Sequence, residues 1–194
     1  MNRRLVLVVT VGLAVLLFGC NPTKTVAKLG MHLVGDFVED QETQKLGRQL
    51  IGQPPAAADG VLGERVDVLR TVNGADEWLV YPVKLDLLGK KRYVVGVSGG
   101  RIVDVKLVER GGGKVGIPQK LIYEAKVKGK PPEECERALG LGPPMLTVRS
   151  ATTGQLRQLY RAKTLSTPTY CILRYGDDNL CTELDLVEVA ATSQ

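Results

Sequence analysis

Histidine and tryptophan each occur once in this sequence, and phenylalanine twice. Each scarcity narrows the range of functions. A catalytic base working near neutral pH is most readily a histidine. The only candidate, His32, lies between Leu29 and Leu33 on a segment of helical spacing, where it reads as a surface or half-buried helix residue. There is no G-x-S-x-G, and the GGGK at 111–114 lacks the Ser or Thr and the upstream glycine of a phosphate-binding loop. Without a C-x-x-C pair, the cysteines and His32 do not make a zinc site. Asp177, Asp178 and Asn179 fall at a turn, where such residues serve backbone geometry, while Glu133, Glu134 and Glu136 crowd a helix start, where the dipole favours anions. We therefore expect no enzyme, no metal and no cofactor. With so few large aromatics, the core has to be built from Val, Leu and Ile.

Long apolar runs are also scarce, and the one present is at the N-terminus. Residues 5–18, LVLVVTVGLAVLLF, follow Arg3 and Arg4, which is the pattern of a secretory signal. The run is short of the ~20 residues a membrane span needs. The four residues that close it, LFGC at 17–20, resemble the lipobox of bacterial lipoproteins, with Leu17, Gly19 and Cys20 in the key places and Phe18 departing from the usual small or β-branched residue. The resemblance implies cleavage after residue 19, lipid (palmitate among it) on Cys20, and a mature chain tethered to a membrane. By the enterobacterial sorting rule, Asn21 directs it to the outer membrane, facing the periplasm.

Charge is segregated. Residues 84–130 carry twelve Lys and Arg against four Asp and Glu, while the flanking regions are slightly acidic. Such a zone could face anionic lipid or glycan at about 1 kcal/mol per cation, or be no more than solvated strand faces and a linker. Nucleic acid is not an expected partner: the basic zone lacks interleaved aromatics and the chain reads as exported.

Along the chain, Val26, Leu29, Leu33 and Phe37, with Val34 and Val38 beside them, predict an amphipathic helix, and Asp40 caps a second one through Leu46, Leu50 and Ile51 to Gly52. After LIGQPPAAADG the period becomes two. A strand at Val66 and Val68 turns at Asn73-Gly74 into EWLVYPVKLDLL, which places Leu79, Tyr81, Val83, Leu85 and Leu87 on one face and Trp78, Val80, Lys84 and Asp86 on a wetter one. Pro82 predicts an edge or bulge. RYVVGVS and RIVDVKLVE follow, joined at Gly99-Gly100. Beyond GGGK the order recurs: QKLIYEAKVKG, then PPEECERALG closed by LGLGPP, then four strands. RYVVGVSGGRIVDVKLVE aligns with TYCILRYGDDNLCTELDLVE, with Tyr93 over Tyr170 and Gly99 over Gly176. The reading is a signal peptide at 1–19, a first α+β repeat at 20–110, a glycine linker at 111–114 and a second α+β repeat at 115–194. Each repeat is expected to be a helix pair followed by an antiparallel meander, with the helices packed on one face of the sheet.

Gly129, Leu139, Gly140, Pro143 and Tyr160 resemble the pattern of the SmpA/OmlA (BamE-like) small lipoproteins, in which a short helix ends in Leu-Gly-x-Pro before an antiparallel sheet. The aromatic-rich first strands of that family are not matched. A tandem of such units looks like the β-lactamase inhibitor protein fold. The resemblance implies a non-enzymatic envelope component that binds another protein or helps assemble or stabilise an outer-membrane complex. The alternatives are a periplasmic inhibitor or ligand-binding lipoprotein and, more weakly, a small glycan-acting enzyme.

Three cysteines remain after Cys20. Cys171 and Cys181 flank the turn at Gly176 symmetrically, so a hairpin would bring them opposite each other for a disulfide contributing about 2–3 kcal/mol on the solvent face. Cys135, with Ala138 and Leu139, reads as a buried free thiol.

Overall fold

The computed structural model describes residues 22–38, 40–109, 117–162 and 169–188. In chain order the elements are α1 (Pro22–His32), β1 (Asp36–Val38), α2 (Gln41–Leu50), α3 (Ala56–Leu62), β2 (Asp67–Thr71), β3 (Asp76–Pro82), β4 (Lys91–Ser98), β5 (Arg101–Glu109), α4 (Ile117–Val127), α5 (Pro132–Leu139), β6 (Leu146–Ser150), β7 (Leu156–Ala162), β8 (Thr169–Tyr175) and β9 (Cys181–Glu188). All nine strands belong to one antiparallel sheet in the order β1-β5-β4-β3-β2-β6-β7-β8-β9. The joint lies between β2 and β6, where Leu69 faces Ser150, Arg70 faces Arg149 and Thr71 faces Val148.

This overturns the expected fold of two repeats, each with its helices on one face of its own sheet. The reason lies in the strand faces. Leu69, Trp78, Val94, Val148, Leu159 and Ile172 are apolar and buried on one face, while Leu79, Val95, Leu107, Tyr160, Leu173 and Leu184 are apolar and buried on the other. A sheet apolar on both sides needs cover on both sides. The sheet therefore curls nearly into a barrel, with α1 filling its inside. Met31 and Leu33 pack against Leu69, Trp78, Val94, Val108, Leu159 and Ile172, side chains drawn from six strands. Outside, α2 and α3 cover β3–β5 through Leu50, Ala58 and Leu62, and α4 and α5 cover β7–β9 through Val127, Cys135 and Leu139.

Helix α1 approaches the sheet closely because two glycines permit it. A methyl at Gly30 would lie 1.9 Å from the Trp78 ring, and one at Gly96 would meet Ala27 and Met31 at 3.3 Å. The indole fills the gap and donates its Nε1–H to the Ala27 carbonyl at 2.8 Å. Trp78, expected on the wetter face, is thus the centre of the inner core.

Other local expectations also change. The helix predicted through Phe37 and Val38 ends at His32. After Gly35 the chain turns into β1, whose Phe37 pairs with Val108. The AAADGVL stretch that follows LIGQPP forms a helix, α3. Strand β3 stops at Pro82, where the ladder loses a donor, so Leu85 and Leu87 are in a loop instead of on a strand face. The linker at 111–114 lies outside the described residues.

Candidate functional site

Two features meet at one mouth of the curled sheet. The first is a charged layer on its inner face. Asp67 on β2 accepts from Ser150 Oγ at 2.6 Å and pairs with Arg157 at 3.2 Å. Arg174 on β8, only 6% exposed, lies between Glu183 at 3.0 Å and Asp185, to which it is also hydrogen-bonded. Lys120 of α4 reaches over the edge strand to Asp185 at 2.8 Å. Register explains the layer: Arg157 pairs with Arg174 and Arg174 with Glu183, so these side chains share one face and one level. Burial alone would raise the Asp185 carboxyl, but Arg174 and Lys120 together hold it below its ordinary value. A cavity of about 240 Å³ opens here, lined by Val34, Asp67, Lys90, Arg92, Arg174 and Glu183 among others.

The second feature is the β3–β4 loop, whose Gly89 and Lys90 form part of that lining. Its conformation is held from within. The Asp86 N–H donates to the Val83 carbonyl at 3.1 Å, Gly89 N–H to the Asp86 carbonyl at 3.0 Å, and Leu88 N–H and Lys91 N–H to the Asp86 carboxylate. Those backbone donors, Lys91 foremost, hold the Asp86 carboxyl below its usual range. Leu85, Leu87 and Leu88 are left outside at 91%, 100% and 77% exposure, bracketed by Lys84, Lys90, Lys91 and Arg92. Sequence reasoning missed this loop because the Leu-Asp-Leu alternation imitates a strand. The signal against that reading was Pro82 and Gly89 bracketing Asp86, a turn-forming residue.

The cavity and the leucine loop sit at the C-terminal end of α1, since Val34, just past that helix, lines the cavity. The N-terminal end of α1 is about 16 Å back along the helix axis.

Residues singled out in the sequence are dispersed. Cys20 lies outside the described residues. Cys171 and Cys181 are both free and buried, and they do not face each other: Cys171 pairs with Leu186 and Cys181 with Tyr175. A bulge at Arg174/Tyr175 reverses the parity of β9, turning Cys181 in towards Leu184 and away from solvent. The expected 171–181 bridge therefore lacks the register it assumed. Cys135 is a buried free thiol in that same cluster. Asp178 and Asn179 shape the β8–β9 turn, with Leu180 N–H donating to Asp178 at 3.0 Å and Asn179 at φ 60°. Glu133 and Glu134 occupy the first turn of α5.

His32 is buried between the rings of Phe37, at 4.3 Å between centroids, and Tyr170, at 5.1 Å. Its Nδ1 has no hydrogen-bond partner among the described residues. Burial first, and then the Lys28 charge, lower its pKa to about 4, so it is a neutral packing group at ordinary pH. Among the described residues no three His, Cys, Asp or Glu side chains are grouped as metal ligands, and no helix is long and apolar enough to cross a membrane.

The chain matches no protein-family model, no characterised protein and no solved structure.

Proposed function

We propose that this chain is a lipid-anchored cell-envelope protein that acts without catalysis, binding another envelope protein through the leucine loop at the mouth of its sheet. The observation that carries the reading is the exposure of Leu85, Leu87 and Leu88 on a loop whose backbone is already fixed. Burying a leucine is worth roughly 1.5–3 kcal/mol, and a preformed loop pays little ordering entropy when a partner covers it. The anchor supports the same orientation. Helix α1 begins at Pro22, two residues after Cys20, so acylation there would hold the far end of α1 at the lipid and leave the leucine loop facing away from it.

Two alternatives are less well supported. For a ligand carrier, the mouth cavity of about 240 Å³ is below the ~300–1,000 Å³ of ordinary small-ligand pockets, and the cavity of about 690 Å³ beside α2 and β5, though large enough, has Lys28, Asp40, Arg48, Asp104 and Lys106 in its lining where such pockets are mainly apolar. Glycan cleavage needs a carboxylic acid with a raised pKa beside a free carboxylate; burial, and then the charges of Asp185 and Glu109, do raise the Asp36 carboxyl, but Asp185 is not free, being held low by Arg174 and Lys120.

The test has two arms on the full chain in a bacterial host. Labelled palmitate should enter the parent and not Cys20→Ala. Mild detergent extraction should bring down a defined envelope protein with the parent and lose it with L85S/L87S/L88S, whose circular dichroism and lipid label stay unchanged. Equal labelling of both chains would overturn the anchor, and undiminished partner recovery by the triple variant would overturn the binding role of the loop.

A further inference from the structure

Under α4 and α5 the outer core of the second half gathers Cys135, Cys171 and Cys181 with Tyr160 and Tyr175. Within it one pair of cysteines is placed for chemistry, and it is not the pair that the hairpin suggests. The Cys135 thiol, wholly buried on α5, points at the Lys130 carbonyl at 3.5 Å and the Val127 carbonyl at 3.6 Å. The Cys181 backbone N–H donates to that same Lys130 carbonyl at 2.8 Å, and the Cys181 carbonyl accepts from Gly129 N–H at 2.8 Å. The start of β9 and the first turn of α5 are thus pinned to one short segment, 129–130, and the two thiols lie beside each other there. Cys171 is set apart. It pairs with Leu186, four residues along β8 from Tyr175, the partner of Cys181, a separation of about 13 Å along the strand. That exceeds the ~7 Å limit on the Cα separation of a disulfide.

We propose that Cys135 and Cys181 form an intramolecular disulfide that staples α5 to the start of β9, leaving Cys171 as a reduced, buried thiol. The oxidant is a protein or small-molecule disulfide of the oxidising envelope. One thiolate attacks that disulfide, releasing one thiol and forming a mixed disulfide. The second thiolate then displaces the remaining sulfur as another thiol. The net change joins Cys135 Sγ to Cys181 Sγ, reduces one external disulfide to two thiols and transfers both cysteine protons to them. Burial pushes the Cys181 thiol up to about 12 and raises that of Cys135, so thiolate is scarce in the folded body. The bridge therefore forms while the chain folds, and the packing that follows shields it from reduction. The source of oxidant rests on the export reading above, whereas the pairing does not.

The experiment uses the full chain in detergent, refolded from urea in a buffer of reduced and oxidised glutathione. It is then quenched by alkylation and digested without reductant for mass spectrometry. The result expected is one linked peptide pair carrying Cys135 and Cys181, with Cys171 alkylated. Cys171→Ala should keep that link, and Cys135→Ala should lose it with no 171–181 link in its place. A link through Cys171 in the parent, or alkylation of both Cys135 and Cys181 at the most oxidising ratio, overturns the proposal in either case, since this arm does not depend on the compartment. Intact mass of chain isolated from envelope fractions reports leader cleavage separately, so an uncleaved leader counts against the anchor and not against the pairing.

Discussion

The inner and outer faces of the sheet are both dry, but they are dried differently. Outside, cover is local: α2 and α3 serve the first meander and α4 and α5 the second, in two clusters that share no residue. Inside, a single 11-residue helix serves strands from both halves at once. The lesson is that the outer clusters stabilise parts, whereas α1 makes the halves one cooperative body. The polar groups differ as well. In the first outer cluster Tyr81 donates to Asp59 at 2.8 Å, and Asp59 is held by Arg65. In the second, the single Tyr160 O–H proton lies between Gln158 Oε1 at 2.6 Å and Glu136 Oε1 at 3.1 Å, and thiols take much of the remaining space.

Breaking this comparison begins with the inner helix. Gly30→Ala drives a methyl into the Trp78 ring, and Trp78→Ala empties the same site. Each should cost about 4 kcal/mol in urea unfolding and remove cooperativity from both halves together. A loss confined to one half would show that α1 does not unite them.

Next in size is the charged mouth. Arg174→Met removes the cation that lies between Glu183 and Asp185 at a largely buried site, and should cost about 3 kcal/mol at pH 7. The deficit should shrink as acid protonates the carboxylates, which a urea series at pH 7 and pH 4 would read.

His32 gives a smaller and pH-dependent effect. Its pKa is lowered in the folded body, so as pH falls below 6.5 the unfolded chain takes up the proton first. The stability it preserves is complete above pH 6.5, is lost progressively down to about 4, and changes no further below that. The loss should approach about 3 kcal/mol, and His32→Phe should flatten that part of the curve relative to the parent. An unchanged curve would mean that the imidazole is not sealed between Phe37 and Tyr170.

The smallest effect is expected on the outer side, where Thr43 on α2 is buried with its hydroxyl unpartnered among the described residues. Thr43→Val should change stability by no more than about 1 kcal/mol, in the stabilising direction if at all, because it removes a polar group that gains nothing from burial.

Much of this body was legible in the sequence where local chemistry dictates local shape. Asn73-Gly74 and Gly99-Gly100 mark turns, with Gly74, Gly99 and Gly100 at positive φ, and Gly140 ends α5 in the left-handed region. Asp40 does stand at the N-cap position of α2, but its side chain makes no capping hydrogen bond there. What was not legible depends on long-range cover. Alternation along β3 was read correctly as two faces, but only α1 decides that the Trp78 face is the drier. Nothing in β2 or β6 alone announces that they pair. One extra residue at Thr182 was enough to turn Cys181 from solvent to core, since side-chain parity does not survive a bulge. The leucine loop was hidden by the same alternation that revealed β3.

The central claim, that an anchored body meets its partner through the loop at the far end of α1, is tested most directly by photocrosslinking in native membranes. A photoreactive residue would be placed at Leu87, with Val61 on the outer helix layer as control. The account predicts a single defined adduct from position 87, none of that mass from position 61, and its loss in Cys20→Ala. The same adduct from both positions, or from position 87 undiminished without Cys20, would contradict it.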